Sequence, residues 1–482
     1  MVSCKRRRLM NIGPLDRRRI VRRCEQCRIS RTKCEGGRPC QACQARLTAC
    51  RDQNRHGAMQ HEMTSHNMPI VLVNPAEDQF LSTTASLDNV YRFVGTLPSP
   101  LTDLFSTDML LRLFQEDESI RTVLLEIGDA YVNNNGRQVQ SQKGSMLLDI
   151  KQRELYATIQ TRLKKPDPHL DSSLLLLAVL FCLLQLMTTR SSNISLQIVD
   201  QVNSSIVQRR GAHGFSTKFD SSTLLLFRLL EGVGNLIRDQ DTSFADAKWC
   251  KRIDHQRLSE LPITREPNTF LFECILTFIS SLAEVNVQSI EWLDRETHFA
   301  RAVETRLNTL GHINSIYNED STYAIHLAAG QNIIQQASEL LESLQRFENF
   351  VGGFKSVDDT CYDMFMAYSL CLRVGTLRLF ADPLWQNAPF SREGLKEWNV
   401  QAYAHSGLNH VENRLQHAGL EAVFYIQHLV LVGIEVADLA SRDRVMSLLK
   451  KIKSRGFGFA EVYIGDLQLA WTAVPAIEDS GT

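Results

Sequence analysis

Six cysteines fall within the 27 positions from Cys24 to Cys50. They form a C-x2-C-x6-C unit written twice, Cys24, Cys27, Cys34 and then Cys40, Cys43, Cys50, with five residues between the copies. Thiolate is the favoured structural ligand of zinc, and a C-x2-C pair brings two sulfurs to one tetrahedral ion from a tight turn. Six sulfurs overfill one four-coordinate ion. They suit two ions when two of the sulfurs each bridge both metals, and the duplication nominates the first cysteine of each half, Cys24 and Cys40, as the bridges. Full thiolate coordination leaves no open position for water or substrate. The expected role of the two zinc ions is therefore to fold a segment too short to fold by burial alone.

The residues between Cys27 and Cys34 are Arg28-Ile-Ser-Arg31-Thr-Lys33, which the spacing predicts as one short helix. Arg28 and Arg31 lie three apart and so share a face. Gly36-Gly37 and Pro39 suit the reversal between the two halves, since glycine admits positive φ and proline fixes its own. The second half, Gln44 to Ala49, is less basic and carries only Arg46.

The cysteine spacing, the basic run Arg28 to Lys33 and Pro39 in the connecting loop resemble the binuclear zinc cluster of fungal transcription factors. The resemblance covers the N-terminal part of the chain alone. It implies that the far end of the first helix meets the major groove and that basic residues there read a short C/G-rich triplet in double-stranded DNA. Arg31 matches a position suited to bidentate contact with guanine, and Lys33 matches a basic position of the family. Arg28 is assigned to phosphate, as are Arg22, Arg23 and Arg46. The chain departs from the family at Ser30, where many members have a second basic residue, and at Arg23, where a small residue is usual. The implied function is a nuclear, sequence-specific regulator of transcription by RNA polymerase II, with a biosynthetic gene cluster as the target set the family suggests. One triplet specifies too little, because each base pair discriminates by about 1–3 kcal/mol. A second reading head is expected, through homodimerisation of the C-terminal body or through a partner factor.

Charge is distributed unevenly. Residues 1–60 hold 16 Lys and Arg against 4 Asp and Glu, whereas the remainder hold 37 against 50. A basic head on an acidic body points to a polyanion at one end, bound with release of counterions from phosphate; the body is expected to stay off nucleic acid. Within the head, Lys5-Arg6-Arg7-Arg8 and Arg17-Arg18-Arg19 are separated by eight residues. That pattern reads as a bipartite nuclear localisation signal, or as a tail held near DNA by charge, and the two are compatible.

With 482 residues, 44% hydrophobic and 22% charged, the chain has the composition of a globular protein of two or three domains. We divide it into a basic arm with the zinc cluster over 1–56, a linker over 57–100 and an α-helical domain over 101–482. The linker contains Pro69, Pro75, Pro98 and Pro100, and it shows no sustained a/d heptad. His56, His61 and His66 recur at five, which places them on no one helical face. The opening residues carry no apolar signal region and the other cysteines are scattered singly, so a reducing compartment is expected. The longest purely apolar run, Leu174 to Leu184, has eleven residues, too few for a membrane span.

Beyond residue 101 the periodicity is helical. Asp171-Ser172-Ser173 caps the Leu174 run. Ile333, Ile334, Ala337, Leu340, Leu341, Leu344 and Phe347 make one stripe on a helix expected over Thr322 to Asn349. Further helices are expected over Leu224 to Ile237, Phe270 to Val285, Cys361 to Phe380, Leu420 to Leu439 and Val445 to Ile452. The expected fold is thus a small binuclear zinc-cluster domain followed by a large all-α array, similar in position and helical content to the fungal-specific regulatory domain that commonly follows this cluster.

No H-E-x-x-H, G-x-S-x-G or G-x-x-x-x-G-K pattern occurs. Gly232-Val-Gly234 lacks the third glycine of a dinucleotide fingerprint and reads as a helix-packing site. Cys182, Cys274 and Cys371 lie in apolar helical runs, with Cys250 and Cys361 at their approaches, and all five are expected as buried structural thiols. Cys4 sits among arginines that would lower its pKa. An enzyme is not expected. The competing readings are a zinc-folded module for protein contact or nonspecific nucleic-acid binding, and a catalytic helical body carrying the cluster as an appendage.

Overall fold

The computed structural model describes residues 107–135, 142–188, 193–246, 249, 267–310, 321–353, 359–388, 390 and 399–473, together with Asp88 and Val90. The cysteine cluster, the basic arm, most of the linker and Cys250 lie outside the described residues.

The described part is an array of helices, with no β-strand among the described residues. It begins with α1 (Thr107–Glu116), α2 (Glu118–Asn135) and α3 (Gln142–Leu163). Asp117 separates α1 from α2 and caps the latter, its carboxylate accepting the Ser119 and Ile120 amides at 3.0 and 3.3 Å. The next helix, α4 (Ser172–Thr188), is the Leu174 run. It is apolar on every side and buried from Leu174 through Gln185, as a helix without a polar face must be. Around it pack α2, α3, α5 (Asn193–Val202) and α6 (Lys218–Arg238). A π-helical turn, Asn203–Val207, extends α5 and leads into Gln208–Arg210.

Gly232 and Gly234 lie inside α6, and both are sites of close approach. A Cβ on Gly232 would lie 2.7 Å from Ile279 Cγ2, and one on Gly234 2.8 Å from Leu196 Cδ2. The glycine pair is a helix-packing device, as its position in a helical pattern suggested.

The second half is built on α7 (Pro267–Leu310), α8 (Ser321–Gly353) and α9 (Asp359–Leu379). The expected stripe on α8 is buried at every position, from Ile333 to Phe347. Asp382 and Pro383 stop α9 and start a short helix, α10 (Pro383–Asn387); the Asp382 carboxylate accepts the Leu384 amide at 2.8 Å. The array closes with α11 (Val400–His417), α12 (Ile426–Glu435), α13 (Leu439–Ser454) and α14 (Ala460–Ala473).

One expected helix is divided. The apolar sequence from Leu420 to Leu439 forms a 3-10 turn over Leu420–Tyr425, then α12, which ends at an extended Val436. Asp438 then caps α13, accepting the Ser441 amide at 2.7 Å. The cap offers the backbone a competing hydrogen bond that apolar periodicity does not register.

Asn268–Phe299 of α7 is long and apolar enough to cross a membrane by length and composition, and 67% of its most apolar window is buried inside the array. Leu271, Phe272, Ile275, Leu276 and Ile279 belong to the main core, so this is a core helix. A second core cluster, Val285, Trp292, Ile333, Ile334, Ala337, Phe380 and Trp385, lies where α7, α8, α9 and α10 meet.

Candidate functional site: the cysteine cluster and the buried polar sites of the body

Every residue assigned to metal or DNA by sequence lies outside the described residues. That holds for Cys24, Cys27, Cys34, Cys40, Cys43 and Cys50, for Arg22, Arg23, Arg28, Arg31, Lys33 and Arg46, and for Lys5 to Arg8 and Arg17 to Arg19. Among the described residues, no group of three or more His, Cys, Asp or Glu is placed to hold a metal ion. The chemistry of the donor set fits zinc at the cluster: six thiolates would fill two tetrahedra if two of them were shared.

The four cysteines of the body within the described residues, Cys182, Cys274, Cys361 and Cys371, are buried and form no disulfide with one another. Burial pushes the Cys182 and Cys274 thiols up to about 12. A thiol in that range is a poor nucleophile at neutral pH.

The body holds five polar constellations, four buried and one half-buried, that periodicity could not disclose. In the first, Arg162 at the end of α3 bonds Asp171 at 2.6 and 2.9 Å and Asp117 at 2.9 Å, with Ser173 donating to Asp117 at 2.7 Å. Burial alone would lower the guanidinium pKa, but its hydrogen bonds to Asp171 and Asp117 outweigh that and raise it. The same contacts hold both carboxyls below their usual range against desolvation. Three helix ends are thereby tied together.

In the second, Arg373 of α9 is fully buried. Its Nε donates to Glu348 at 2.7 Å and its Nη2 to Gln345 at 2.8 Å, both on α8, while the guanidinium lies 5.0 Å from the Tyr403 ring of α11. Ser369 adds a hydrogen bond to Glu348 at 2.7 Å. Burial raises the Glu348 pKa, with Arg373 opposing.

The third joins α11 to the 3-10 turn through Arg414 and Glu421, an ion pair with 7% and 2% side-chain exposure. Tyr368 and Tyr425 lie beside it, and His428 packs on both tyrosines, its ring meeting that of Tyr368 edge to face at 4.1 Å. His428 Nδ1 lies 2.9 Å from the Phe424 carbonyl and therefore carries the proton. Burial pulls the imidazole down to about 4, so it is neutral at pH 7.

The fourth is an aromatic stack in the second core. Trp292 lies between the rings of His326, at 4.8 Å and 3° from parallel, and Trp385, at 3.9 Å and 20°. The Trp292 indole donates to the His326 carbonyl at 3.0 Å, and the Trp385 indole to Ser289 Oγ at 3.2 Å. His326 Nε2 is 2.9 Å from Glu296. Gly330 lets this stack close, since a Cβ there would fall 2.6 Å from Phe390 and 2.7 Å from Trp292 Nε1.

The fifth is centred on Glu231 of α6, 2% exposed. Thr242 Oγ1 lies 2.6 Å from its Oε2, and Asn235 Nδ2 donates to its Oε1 at 2.8 Å. Desolvation pushes this carboxyl up to about 7, against hydrogen bonds from Thr242 and the Ser243 amide.

All five constellations bind one segment of the array to another. They place charge and hydrogen bonds at helix junctions, which makes them fold-specifying features of the body. No family model, no curated protein and no solved structure matches the chain.

Proposed function

We propose that the chain is a zinc-dependent, sequence-specific DNA-binding regulator of transcription by RNA polymerase II, acting in the nucleus, in the manner of the fungal binuclear zinc-cluster factors it resembles. The single observation that carries this reading is the duplicated C-x2-C-x6-C unit with the basic run Arg28 to Lys33 inside its first half. Cys24, Cys27, Cys34, Cys40, Cys43 and Cys50 would hold two zinc ions, with Cys24 and Cys40 shared. When bound, the metal supplies fold rather than reactivity.

Arg31 and Lys33 are the proposed readers of base edges, and Arg22, Arg23, Arg28 and Arg46 the proposed phosphate contacts. The clusters Lys5 to Arg8 and Arg17 to Arg19 would serve nuclear entry and neutralise phosphate. The acidic helical body is proposed as the regulatory domain and as the surface through which a second reading head is recruited, a second copy or a partner factor. Its excess of Asp and Glu supports that division of labour, since like charge keeps it from phosphate.

The test is metal content together with competition binding on the full chain. Two zinc per chain and a retained preference for one duplex over competitor DNA at physiological salt support the reading. One zinc per chain overturns the shared-thiolate arrangement. Loss of all affinity together as salt rises overturns sequence-specific binding.

A further inference from the structure

The residues after α6 form a strap, Asp239–Asp246, that packs against α7. Three kinds of contact fasten it. Its turn is opened by Asp239, whose φ of 52° is the only positive value at a non-glycine among the described residues, and the Gln240 amide returns to the Asn235 carbonyl at 3.0 Å. Its apolar anchor is Phe244, fully buried and in edge-to-face contact with Phe227 at 6.3 Å and Trp249 at 5.1 Å. Its polar anchor is Glu231.

The polar anchor is unusual in its position. The Glu231 carboxyl meets Thr242 Oγ1 and the Ser243 amide on the strap and Asn235 on its own helix. Asn235 in turn donates to the Asp241 carbonyl at 2.9 Å, and Thr242 Oγ1 accepts the Phe244 amide at 3.2 Å. On the other side, Ser243 pairs with Asn203 at 3.0 Å. Asn203 opens the π-helical turn, a distortion that often accompanies function.

Burial raises this carboxyl, and Arg238 is the charge that opposes the rise. The charged groups on the elements packed about it are Lys218, Asp220, Arg228 and Arg238 on α6, Asp239, Asp241 and Asp246 on the strap, Asp200 on α5, and Glu273, Glu284 and more distant acids and bases on α7; α4 contributes none. Arg238 is committed to Asp200 at 2.6 and 2.8 Å and to Asn235 Oδ1 at 2.5 Å. Asn286 of α7 donates to Asp239 at 3.1 Å. Desolvation, and then Asp241, raise the Glu284 carboxyl.

We propose that Glu231 is a proton-operated latch on the Asp239–Asp246 strap: carrying its proton it holds the strap to α6, and ionised it favours release of the strap to water. With the proton bound, the carboxyl still accepts from Thr242 Oγ1 and Asn235 Nδ2, and the closed site carries no charge. Ionisation leaves an anion that is 2% exposed, and opening restores its hydration.

The sign and window follow from linkage. The carboxyl titrates at about 7 when closed, against the ordinary value of 4.5. The latch's stabilisation is then complete below about 4.5 and disappears as pH rises to about 7, with the opening constant levelling off above that. Between pH 6 and 8 the strap's opening constant rises roughly tenfold.

The experiment is hydrogen exchange by mass spectrometry on the full chain from pH 5 to 8, each rate divided by the intrinsic chemical rate. The expected result is a rise in opening confined to peptides spanning 239–246, levelling near pH 7, and absent in Glu231→Gln. A strap whose opening is flat across that range, or a rise shared equally by peptides from α9 and α13, overturns the proposal with the wild-type chain alone. Persistence of the rise in Glu231→Gln also overturns it.

Discussion

At the scale of single residues, two arginines separate reading from holding. Arg31 stands on the proposed recognition helix and Arg18 in the basic arm. Replacing Arg31 with Ala is expected to relax base preference by about 1–3 kcal/mol at one position of the site, whereas Arg18→Ala weakens binding evenly across sequences and lowers the salt slope by about one. Competition titration with matched and mismatched duplexes measures both, and identical behaviour of the two variants would remove Arg31 as a reader. Some residues of the body were legible from the chain alone. Cys182, Cys274, Cys361 and Cys371 are buried as their apolar neighbours suggested, and Gly232 and Gly234 pack against Ile279 and Leu196. Arg373, Glu348, Arg414 and Glu421 were not legible. Their pairing joins residues 25 apart in one case and an irregular turn in the other, and a charged residue inside an amphipathic pattern carries no mark of burial.

At the scale of elements, the packing of α6 on α7 depends on the absence of a side chain. Gly232→Ala brings a methyl to 2.7 Å from Ile279 Cγ2, and overpacking of this kind costs about 1–3 kcal/mol. A lowered urea midpoint with an unchanged slope is the expected reading, and pairing the change with Ile279→Val should recover part of the loss. The junction of α8 and α9 makes the opposite point. Removing the Arg373 guanidinium by Arg373→Ala leaves the Glu348 side chain, 9% exposed, with the Ser369 hydroxyl still donating to it, and breaking such a pair costs about 3–5 kcal/mol. A replacement of both partners by apolar residues is expected to cost much less. The long amphipathic helix α8 was legible almost to its ends because seven apolar residues share one stripe. The Leu420 to Leu439 segment was misjudged because its break is set by the Asp438 cap and an extended Val436, a local competition that leaves apolar periodicity unchanged.

At the scale of the whole molecule, pH acts on the body in two opposed directions. His428 titrates at about 4 in the fold against the ordinary 6.5. The unfolded chain therefore takes up the proton first, and the stability that neutral His428 gives is complete above 6.5 and lost as pH falls toward 4. Glu231 contributes the reverse slope, its stabilisation being lost as pH rises from 4.5 to about 7. The two partly cancel in the native chain. His428→Gln is expected to remove the acid-side loss, leaving a melting temperature that falls from pH 5 to 7, while Glu231→Gln leaves one that rises over the same interval. Calorimetric scans of the two variants check this, and parallel profiles would contradict it. The all-helical character of the described body was legible at this scale from apolar periodicity.

The central claim is that zinc held by six cysteines aims a short basic helix at duplex bases. Its most direct measurement is selection of bound duplexes from a random pool by the zinc-loaded full chain, repeated after thorough chelation. Enrichment of a C/G-rich triplet, with its spacing and repetition visible in the recovered sequences and lost on chelation, is the expected result. Recovery of an unenriched pool, or the same enrichment with the metal removed, would contradict it.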